Sequence, residues 1–467
     1  MNAQLLFVLL YTIGLTALGV WMGRLVKLPA DFFVAGRRLP AALLAATVLA
    51  ANIGAGTTVG AAGLAYRDGL SAWWWNGAAG LGTLVLAFWV GPRLWALASA
   101  RGYFTIGDFL EDRYGPSVRG TVAALLWLGT LAILAGQLIA GAAVLEVVAG
   151  TPKWMGVLIG GLAMTIYFTA GGLLSSAWVN AVQLTVLVAG FAVAVPMALA
   201  SAGGWSGIAA APGVHPSFWD PMHSIGPGSG WTLLLLLGPG FIVSPGLVQK
   251  AFGGVSARAV TVGIAAAAIA QLVFSFAPVL LGMAGRAIDP NIASQNLVLP
   301  TVLMHGLPPW LGALGLAAVF SAEVSTCDAI LFMLATSLSK DLYQRFLNPS
   351  ASPVQVLRVA RGAALAGGAI GMVLAMQLGT VVDALRIFYS LLGTTLLVPV
   401  AAALLWPAAG TREALGGIIG GVGTLLAVHF GMERGGWADP STWGLVGSAA
   451  GFLLASLTPR GSRRAEL

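Results

Sequence analysis

The sequence predicts an all-α polytopic membrane protein with about 13 transmembrane helices, and three observations support this prediction. Hydrophobic residues make up 58% of the 467 residues and charged residues only 8%, with a mean hydropathy of +0.90. This balance does not suit a soluble domain of this length. Apolar stretches of about 20 residues, enough to cross a bilayer, recur along the whole chain. Polar residues gather in the middle of a few of these stretches.

The predicted spans are separated by loops that carry charges, glycine or proline. The division at Gly171 and Gly172 is the least marked, because two helices must reverse there within a few residues. We place the spans at residues 3–24, 40–64, 70–98, 118–149, 154–171, 173–201, 230–252, 257–285, 308–339, 357–380, 384–407, 412–431 and 441–458.

The basic residues predict the orientation of the helices, because Lys and Arg collect in short cytoplasmic loops. With the N-terminus outside, most of the 23 Lys and Arg fall inside, and an odd number of spans puts the C-terminus inside. The loop from Ala202 to Gly228 has no Lys or Arg, which also favours an external position. The net charge of +7 therefore reflects topology, and no nucleic-acid surface is expected. The basic residues left outside are Arg67, Lys153, Arg286, Arg386 and Arg434.

Glycine and proline interrupt the middle of two spans. The second span contains residues 50–60 (AANIGAGTTVG), and the seventh contains residues 238–246 (GPGFIVSPG). Broken helices are tolerated at membrane depth where the freed backbone groups line a cavity. A kinked but fully packed helix is the alternative for each break alone. The breaks lie five spans apart, as expected for a five-plus-five inverted repeat with broken helices at the midplane.

A polar run at residues 321–328 (SAEVSTCD) lies about midway along the ninth span. A carboxylate near the bilayer midplane is unfavourable by several kcal/mol, so Glu323 and Asp328 are expected to face a protein interior, a water path or an ion. This run predicts a substrate or ion site inside the membrane.

Other classes of protein are excluded by what the sequence lacks. The first apolar stretch has no basic leader and is expected to be retained as a helix. A single cysteine, Cys327, excludes an internal disulfide, and the four histidines lack metal-ligand spacing. No nucleotide-binding motif is present, so we expect neither an enzyme nor an ATP-driven pump, and no organic cofactor.

Short motifs are distributed along most of the chain. They are residues 31–40 (DFFVAGRRLP), 66–70 (YRDGL), 107–115 (GDFLEDRYG), Gly171 and Gly172 with Trp178 and Gln183, Ser244 with Pro245, Ser325 with Thr326, and 340–343 (KDLY). Together they resemble the sodium/solute symporter family. The motifs are specific for the family, and none of them specifies a substrate.

The resemblance implies a LeuT-like core within a single transmembrane transporter domain, residues 1–467. Residues 1–39 would hold an extra N-terminal helix and loop, 40–202 the first repeat and 229–408 the second repeat. Residues 409–467 would hold two additional C-terminal helices.

The resemblance also implies a sodium site. Carried over by position, its ligands are the backbone carbonyls of Ala50, Ile53 and Ala322 and the hydroxyls of Ser325 and Thr326. Neutral oxygens of this kind suit a small cation. In the alternative without an ion, both hydroxyls bond to carbonyls of their own helix. Sodium is the only metal expected.

The chain departs from the family pattern near a second ion site. Asn180 stands where some relatives have an aspartate that serves a second sodium, and Asp328 stands where they have a hydroxyl. We hypothesise a second cation or proton site between Asn180, Ser325 and Asp328. Glu323 projects nearly opposite to Ser325. It is either a protonated acid that is hydrogen-bonded to a neighbouring helix or a proton-coupling group.

The resemblance assigns substrate contacts only by position. Thr57 and Asn76 match family contacts, Phe241 would form an apolar wall, and Asn52 and Gln137 are further candidates. The cluster at residues 73–75 (WWW) is expected to be an interfacial belt. The substrate itself is not identified.

These features predict a sodium-coupled secondary symporter that imports a small organic solute by alternating access. A proton-coupled or sodium-independent transporter of the same fold, or a transporter-like sensor, is the alternative. We expect a multi-pass protein of a bacterial cell membrane whose partners are the solute and the lipid bilayer. The sequence does not set the oligomeric state, and a monomer is compatible with it.

Overall fold

The computed structural model describes residues 34–223, 229–431 and 439–457, together with isolated positions earlier in the chain. Within the helices, the side chains of residue 163, residues 166–181, residue 321 and residue 328 lie outside the description. The predicted first span at 3–24 and the basic tail after residue 457 therefore lie outside the part that is described.

The described residues are almost entirely helical. Short 3-10 and π-helical segments join the helices. Two of these are the π segments Gly56–Gly60 and Ser337–Leu347. In the first half of the chain the helices are α1 (Ala41–Asn52), α2 (Ala61–Asp68), α3 (Trp73–Val85), α4 (Gly91–Arg101), α5 (Ile106–Tyr114), α6 (Pro116–Ala149), α7 (Lys153–Ser201) and α8 (Gly204–Ala209). In the second half they are α9 (Gly230–Ile242), α10 (Pro245–Phe252), α11 (Ala257–Phe274), α12 (Phe276–Ile288), α13 (Val298–His305), α14 (Pro309–Thr336), α15 (Pro353–Gln377), α16 (Val381–Leu405), α17 (Thr411–Gly431) and α18 (Pro440–Leu457).

The all-helical membrane character predicted from composition is confirmed. Among the described residues, nine helices are long and apolar enough to cross a membrane. The second predicted span is divided between α1 and α2, and the first lies outside the description. The total of thirteen spans, the orientation of the termini and the inverted repeat remain predictions.

The helical run α7 (Lys153–Ser201) spans the predicted division at Gly171 and Gly172. Its first part packs on α15, where Gly161 lies against Met372 and Gly368 lies against Thr165. Its last part packs on α14 and the loop before it, where Gly190 lies against Ala318 and Ser201 Oγ donates to Gly306 O at 2.7 Å. The division of α7 into two spans remains a prediction, because the side chains of residues 166–181 lie outside the description.

Small residues let the last two helices approach closely. A methyl group at Gly420 of α17 would lie 2.5 Å from the carbonyl oxygen of Gly447 in α18. This is the packing by which membrane helices associate without a hydrophobic driving force. The pair α17 and α18 packs on α16, while α1, α6 and α14 meet around the polar residues described next.

Candidate ion and solute site

The second predicted span is broken at its centre. Helix α1 ends at Asn52, Ile53 is extended (φ −98°, ψ 93°), and the chain re-enters a helix through the π segment Gly56–Gly60. A side chain at Gly54 would collide with the neighbouring helices, since a methyl group there would lie 2.7 Å from Gln137 Oε1. The break is therefore packed tightly against α6 and α14, and only glycine fits at this position.

Oxygen atoms of α1 and α14 converge at this break. Ser325 Oγ lies 3.1 Å from Ala50 O and 2.9 Å from Ala322 O. Thr326 Oγ1 lies 3.3 Å from Ala50 O and 3.2 Å from Ile53 O. All five oxygens named from the sequence thus lie in one cluster, and Ser325 and Thr326 are buried.

The hydroxyls of this cluster serve mainly contacts between helices. The contacts of Thr326 go to Ala50 in α1 and to Ile53 just after it, and one of the two contacts of Ser325 goes to α1. Only the contact from Ser325 to Ala322 stays within α14. The alternative, in which both hydroxyls bond to carbonyls of their own helix, is therefore wrong for Thr326 and incomplete for Ser325.

Three of the predicted solute contacts hold the backbone of the break in place. The Ala55 amide donates to Gln137 Oε1 at 2.8 Å, and Asn76 Nδ2 donates to Thr57 O at 2.9 Å. Thr57 Oγ1 donates to Asn52 O at 2.6 Å. These three bonds satisfy groups that an interrupted helix leaves without partners. The fourth contact, Asn52, is held through its side chain, because Nδ2 donates to Gln271 Oε1 at 2.8 Å.

The second break joins α9 to α10 at Val243 and Ser244. Phe241, just before it, stacks on Tyr389 of α16 with ring centroids 5.3 Å apart. Trp75 of α3 contacts the same Tyr389 at 6.4 Å. The three rings form an aromatic group beside the first break, because Gly56 lies against Trp75 Nε1.

Trp75 corrects one expectation from the sequence. It is 1% exposed and packs in the interior, so it does not belong to an interfacial belt. Tyr389 was not identified from the sequence. An aromatic residue in an apolar span carries no local signal that tells whether it packs in the core or lines a binding site.

The structure describes the side chain of Glu323, but not the predicted second cation site. The side chains of Asn180 and Asp328 lie outside the described residues, so the structure does not address the second cation site. Glu323 is fully buried, and neither of its carboxylate oxygens has a hydrogen-bond partner among the described residues. Its Oε2 faces Gly141 of α6. The expected hydrogen bond to a neighbouring helix is absent from this part of the structure.

Comparison with known families gives one match over most of the chain. The Sodium:solute symporter family matches residues 32–421, which include both breaks and the polar run.

Individual relatives are transporters. The chain is 26% identical to the sodium/glucose cotransporter of Vibrio parahaemolyticus, over 90% of this chain and 84% of the relative. It is 27% identical to the sodium/pantothenate symporter of Escherichia coli, over 85% of this chain and 84% of the relative. Among solved structures, a Na+-coupled sialic acid symporter in a substrate-bound outward-open state has a similar fold. Its TM-score is 0.84 at 19% identity, with 98% of both chains covered.

Proposed function

This chain belongs to the sodium:solute symporter family, and from this premise we propose that it imports a small organic solute together with sodium by alternating access. The observation that carries the proposal is the convergence of Ala50 O, Ile53 O, Ala322 O, Ser325 Oγ and Thr326 Oγ1 between two helices. Five neutral oxygens match the preference of a small hard cation and add no buried charge of their own.

Sodium at this position would bridge α1 and α14. The ion would draw the extended backbone at Ile53 toward the hydroxyls of α14 and so stabilise one arrangement of the two helices. Its release would let α1 separate from α14. By linkage, sodium tightens solute binding by the same factor by which the solute tightens sodium binding.

The orientation follows from the distribution of charge. Contacts with the segment around α5 bring together Arg37, Arg101, Arg119, Lys340 and Arg345, and we call this region the basic end. Because Lys and Arg collect on the cytoplasmic side, we place the basic end in the cytoplasm of a bacterial cell, with the N-terminus outside. Uptake then runs toward the basic end.

The solute would lie between the two breaks, against the aromatic group of Trp75, Phe241 and Tyr389. Phe241 and Tyr389 keep a small exposed area of 6% and 9%, and Thr57 follows Gly56, which lies against Trp75. The amides of Asn76 and Gln137 are already engaged with the backbone. The Thr57 hydroxyl donates to Asn52 O, but its oxygen can still accept a hydrogen bond. We therefore propose that Asn52, Asn76 and Gln137 shape the solute site, while Thr57 as an acceptor and the rings contact the solute.

A thermal-shift screen of the purified protein tests this proposal. Sugars, amino acids, monocarboxylates, vitamins and nucleobases are compared in sodium and in choline chloride of equal ionic strength. A transported solute should raise the melting temperature more in sodium, since each ligand stabilises by RT ln(1 + [L]/Kd) and sodium lowers the solute Kd. Solute stabilisation and uptake that are the same in both salts would refute sodium coupling.

We also propose a second cation or proton site at Asn180, Ser325 and Asp328. The replacement Asp328→Asn should lower the number of cations moved per solute by one, measured from paired sodium and solute fluxes in proteoliposomes. A wild-type ratio of one that Asp328→Asn leaves unchanged would refute the second site.

Glu323 supports a proton-coupled alternative within the same fold. A carboxylate that is fully buried and finds no donor among the described residues is unfavourable by several kcal/mol, so we propose that it carries a proton that exchanges during transport. Uptake by the wild type should then depend on pH, and uptake by Glu323→Gln should lose that dependence. Equal pH profiles for the two proteins would exclude this role.

A further inference from the structure

The motif residues at the basic end form a contact system that sodium and solute binding do not use. Arg119 of α6 lies at its centre and is 8% exposed. It pairs with Asp108 and Glu111 of α5, both at 2.8 Å, and with Asp341 of the π segment Ser337–Leu347 at 2.7 Å. Thr105, which caps α5, also donates to Asp341, at 2.7 Å. These bonds anchor α5 on α6 and on the segment that continues α14. We call these three elements the anchored unit.

The inner halves of the two broken spans form a second unit. Leu39, just before α1, exchanges backbone hydrogen bonds with Gly253 and Val255 at 2.9 and 3.0 Å. Lys250 Nζ of α10 donates to Thr47 Oγ1 of α1 at 3.0 Å. Helices α1 and α10 are therefore joined at two levels and are expected to move together.

The side chain of Arg37 connects the two units. One guanidinium nitrogen donates to Phe252 O at the end of α10 at 3.1 Å. The other donates to Tyr103 O, two residues before the Thr105 cap, at 2.7 Å. The backbone that presents Arg37 is left-handed at Ala35 (φ 48°) and at Arg37 (φ 56°). This conformation is uncommon outside glycine and persists where surrounding contacts hold it.

A cavity lies at the interface between the anchored unit and the second unit. We call this interface the seam. It has a volume of about 40 Å³, which is room for a few waters and too little for an organic solute. Thr105, Arg119 and Asp341 line it from the anchored unit, and Pro245 and Gln249 line it from α10. Widening this seam would open a path from the second break to the basic end.

We propose that the two hydrogen bonds of the Arg37 side chain act as a latch. They keep this seam closed, and they break when the seam opens. The anchored unit is held by several ion pairs around Arg119, whereas the Arg37 side chain bridges Phe252 and Tyr103 by two hydrogen bonds to carbonyls. Release of the coupling ion separates α1 from α14, and the seam opens once the Arg37 bridge breaks. This inference rests on alternating access with the basic end as the exit, and it does not depend on the identity of the solute or of the coupling ion.

Cysteine labelling tests the latch, because the chain has one native cysteine, Cys327, and it is buried. Ser337→Cys places a thiol on the cavity lining. The rate of maleimide labelling is measured on the purified full-length chain without sodium, and the parent with Cys327 alone sets the baseline. Arg37→Ala should raise the rate at position 337 by about tenfold or more, since it removes two hydrogen bonds from a charged donor.

Arg38→Ala is the matched control, because Arg38 is adjacent and exposed and the replacement removes the same charge. It should leave the labelling rate within about twofold of the parent. Equal rates in Arg37→Ala and Arg38→Ala would overturn the latch. If Arg37→Ala does not fold, Arg37→Lys decides, because lysine keeps the charge and loses the fork that spans two carbonyls. An unchanged rate in Arg37→Lys would then overturn the proposal.

These results are separable from those of the proposed function. Labelling in the absence of sodium reports only whether the seam is closed. A failed latch with sodium-dependent solute stabilisation would leave the symport proposal standing. A working latch without sodium dependence would point to a transporter of the same fold that uses another ion.

Discussion

The two helix breaks differ in how their backbones are held. At the first break, side chains from α6, α14 and α3 reach the backbone of Ala55, Ile53 and Thr57. At the second break, no hydrogen bond from another helix reaches residues 243–244 within the described part of the chain. Its neighbours are apolar, with Phe241 on Tyr389 and Gly246 on Met333.

This difference fits the proposed roles of the two breaks. Polar side chains that converge on freed carbonyls would suit a cation, since each oxygen is oriented before the ion arrives. An apolar break bordered by an aromatic ring would suit a solute wall and a hinge. We therefore expect replacements at the first break to change ion binding, and replacements at the second break to change solute binding.

The largest effect is expected from the hydroxyls of the first break. An oxygen that contacts an ion contributes about 1.5–3 kcal/mol, so Ser325→Ala or Thr326→Ala should raise the half-saturating sodium concentration ~10–150-fold. The double replacement should abolish sodium-driven uptake. Ser244→Ala is the control at the second break and should change sodium affinity less than about threefold. If Ser244→Ala raises the half-saturating sodium concentration as much as Thr326→Ala does, the expected difference between the two breaks is wrong.

Glycine replacements give the next largest contrast. A methyl group at Gly54 would lie 2.7 Å from Gln137 Oε1 and from Thr326 Cβ, whereas one at Gly238 would meet nothing closer than 3.8 Å. Overpacking costs about 1–3 kcal/mol, so Gly54→Ala should lower sodium affinity ~5–150-fold and Gly238→Ala should not. Sodium titration of the melting temperature measures both. Similar sodium affinities for the two variants would contradict the tight fit at the first break.

The smallest effect is expected at the aromatic wall. An aromatic pair contributes about 0.5–1.5 kcal/mol beyond its buried area, so Phe241→Leu should weaken solute binding by ~2–10-fold. Sodium affinity measured without solute should stay within about threefold of wild type. Tyr389→Phe keeps the ring and serves as the control. If Phe241→Leu alters sodium affinity more than solute affinity, the proposed roles of the two breaks are wrong.

Much of the fold could be predicted from the chain because its signals are local. Hydropathy marks a membrane helix within its own 20 residues, and glycine with proline marks a break where it occurs. The neighbouring hydroxyls Ser325 and Thr326, together with the carbonyls before Gly54, could be assigned by position, and the structure brings them together. Their role as sodium ligands stays a proposal.

The sequence by itself therefore determined the membrane class, the two interrupted spans and the family to which the chain belongs. Only the tertiary structure decided that Gln137 and Asn76 hold the backbone, that Trp75 is interior, and that Arg37 bridges two helix ends. The physical reason is that the hydrogen bonds join partners 19 to 215 positions apart in the chain, and that Trp75 packs on Tyr389, which is farther away still. The direction in which helices pack selects such partners, and no local pattern of residues encodes that direction.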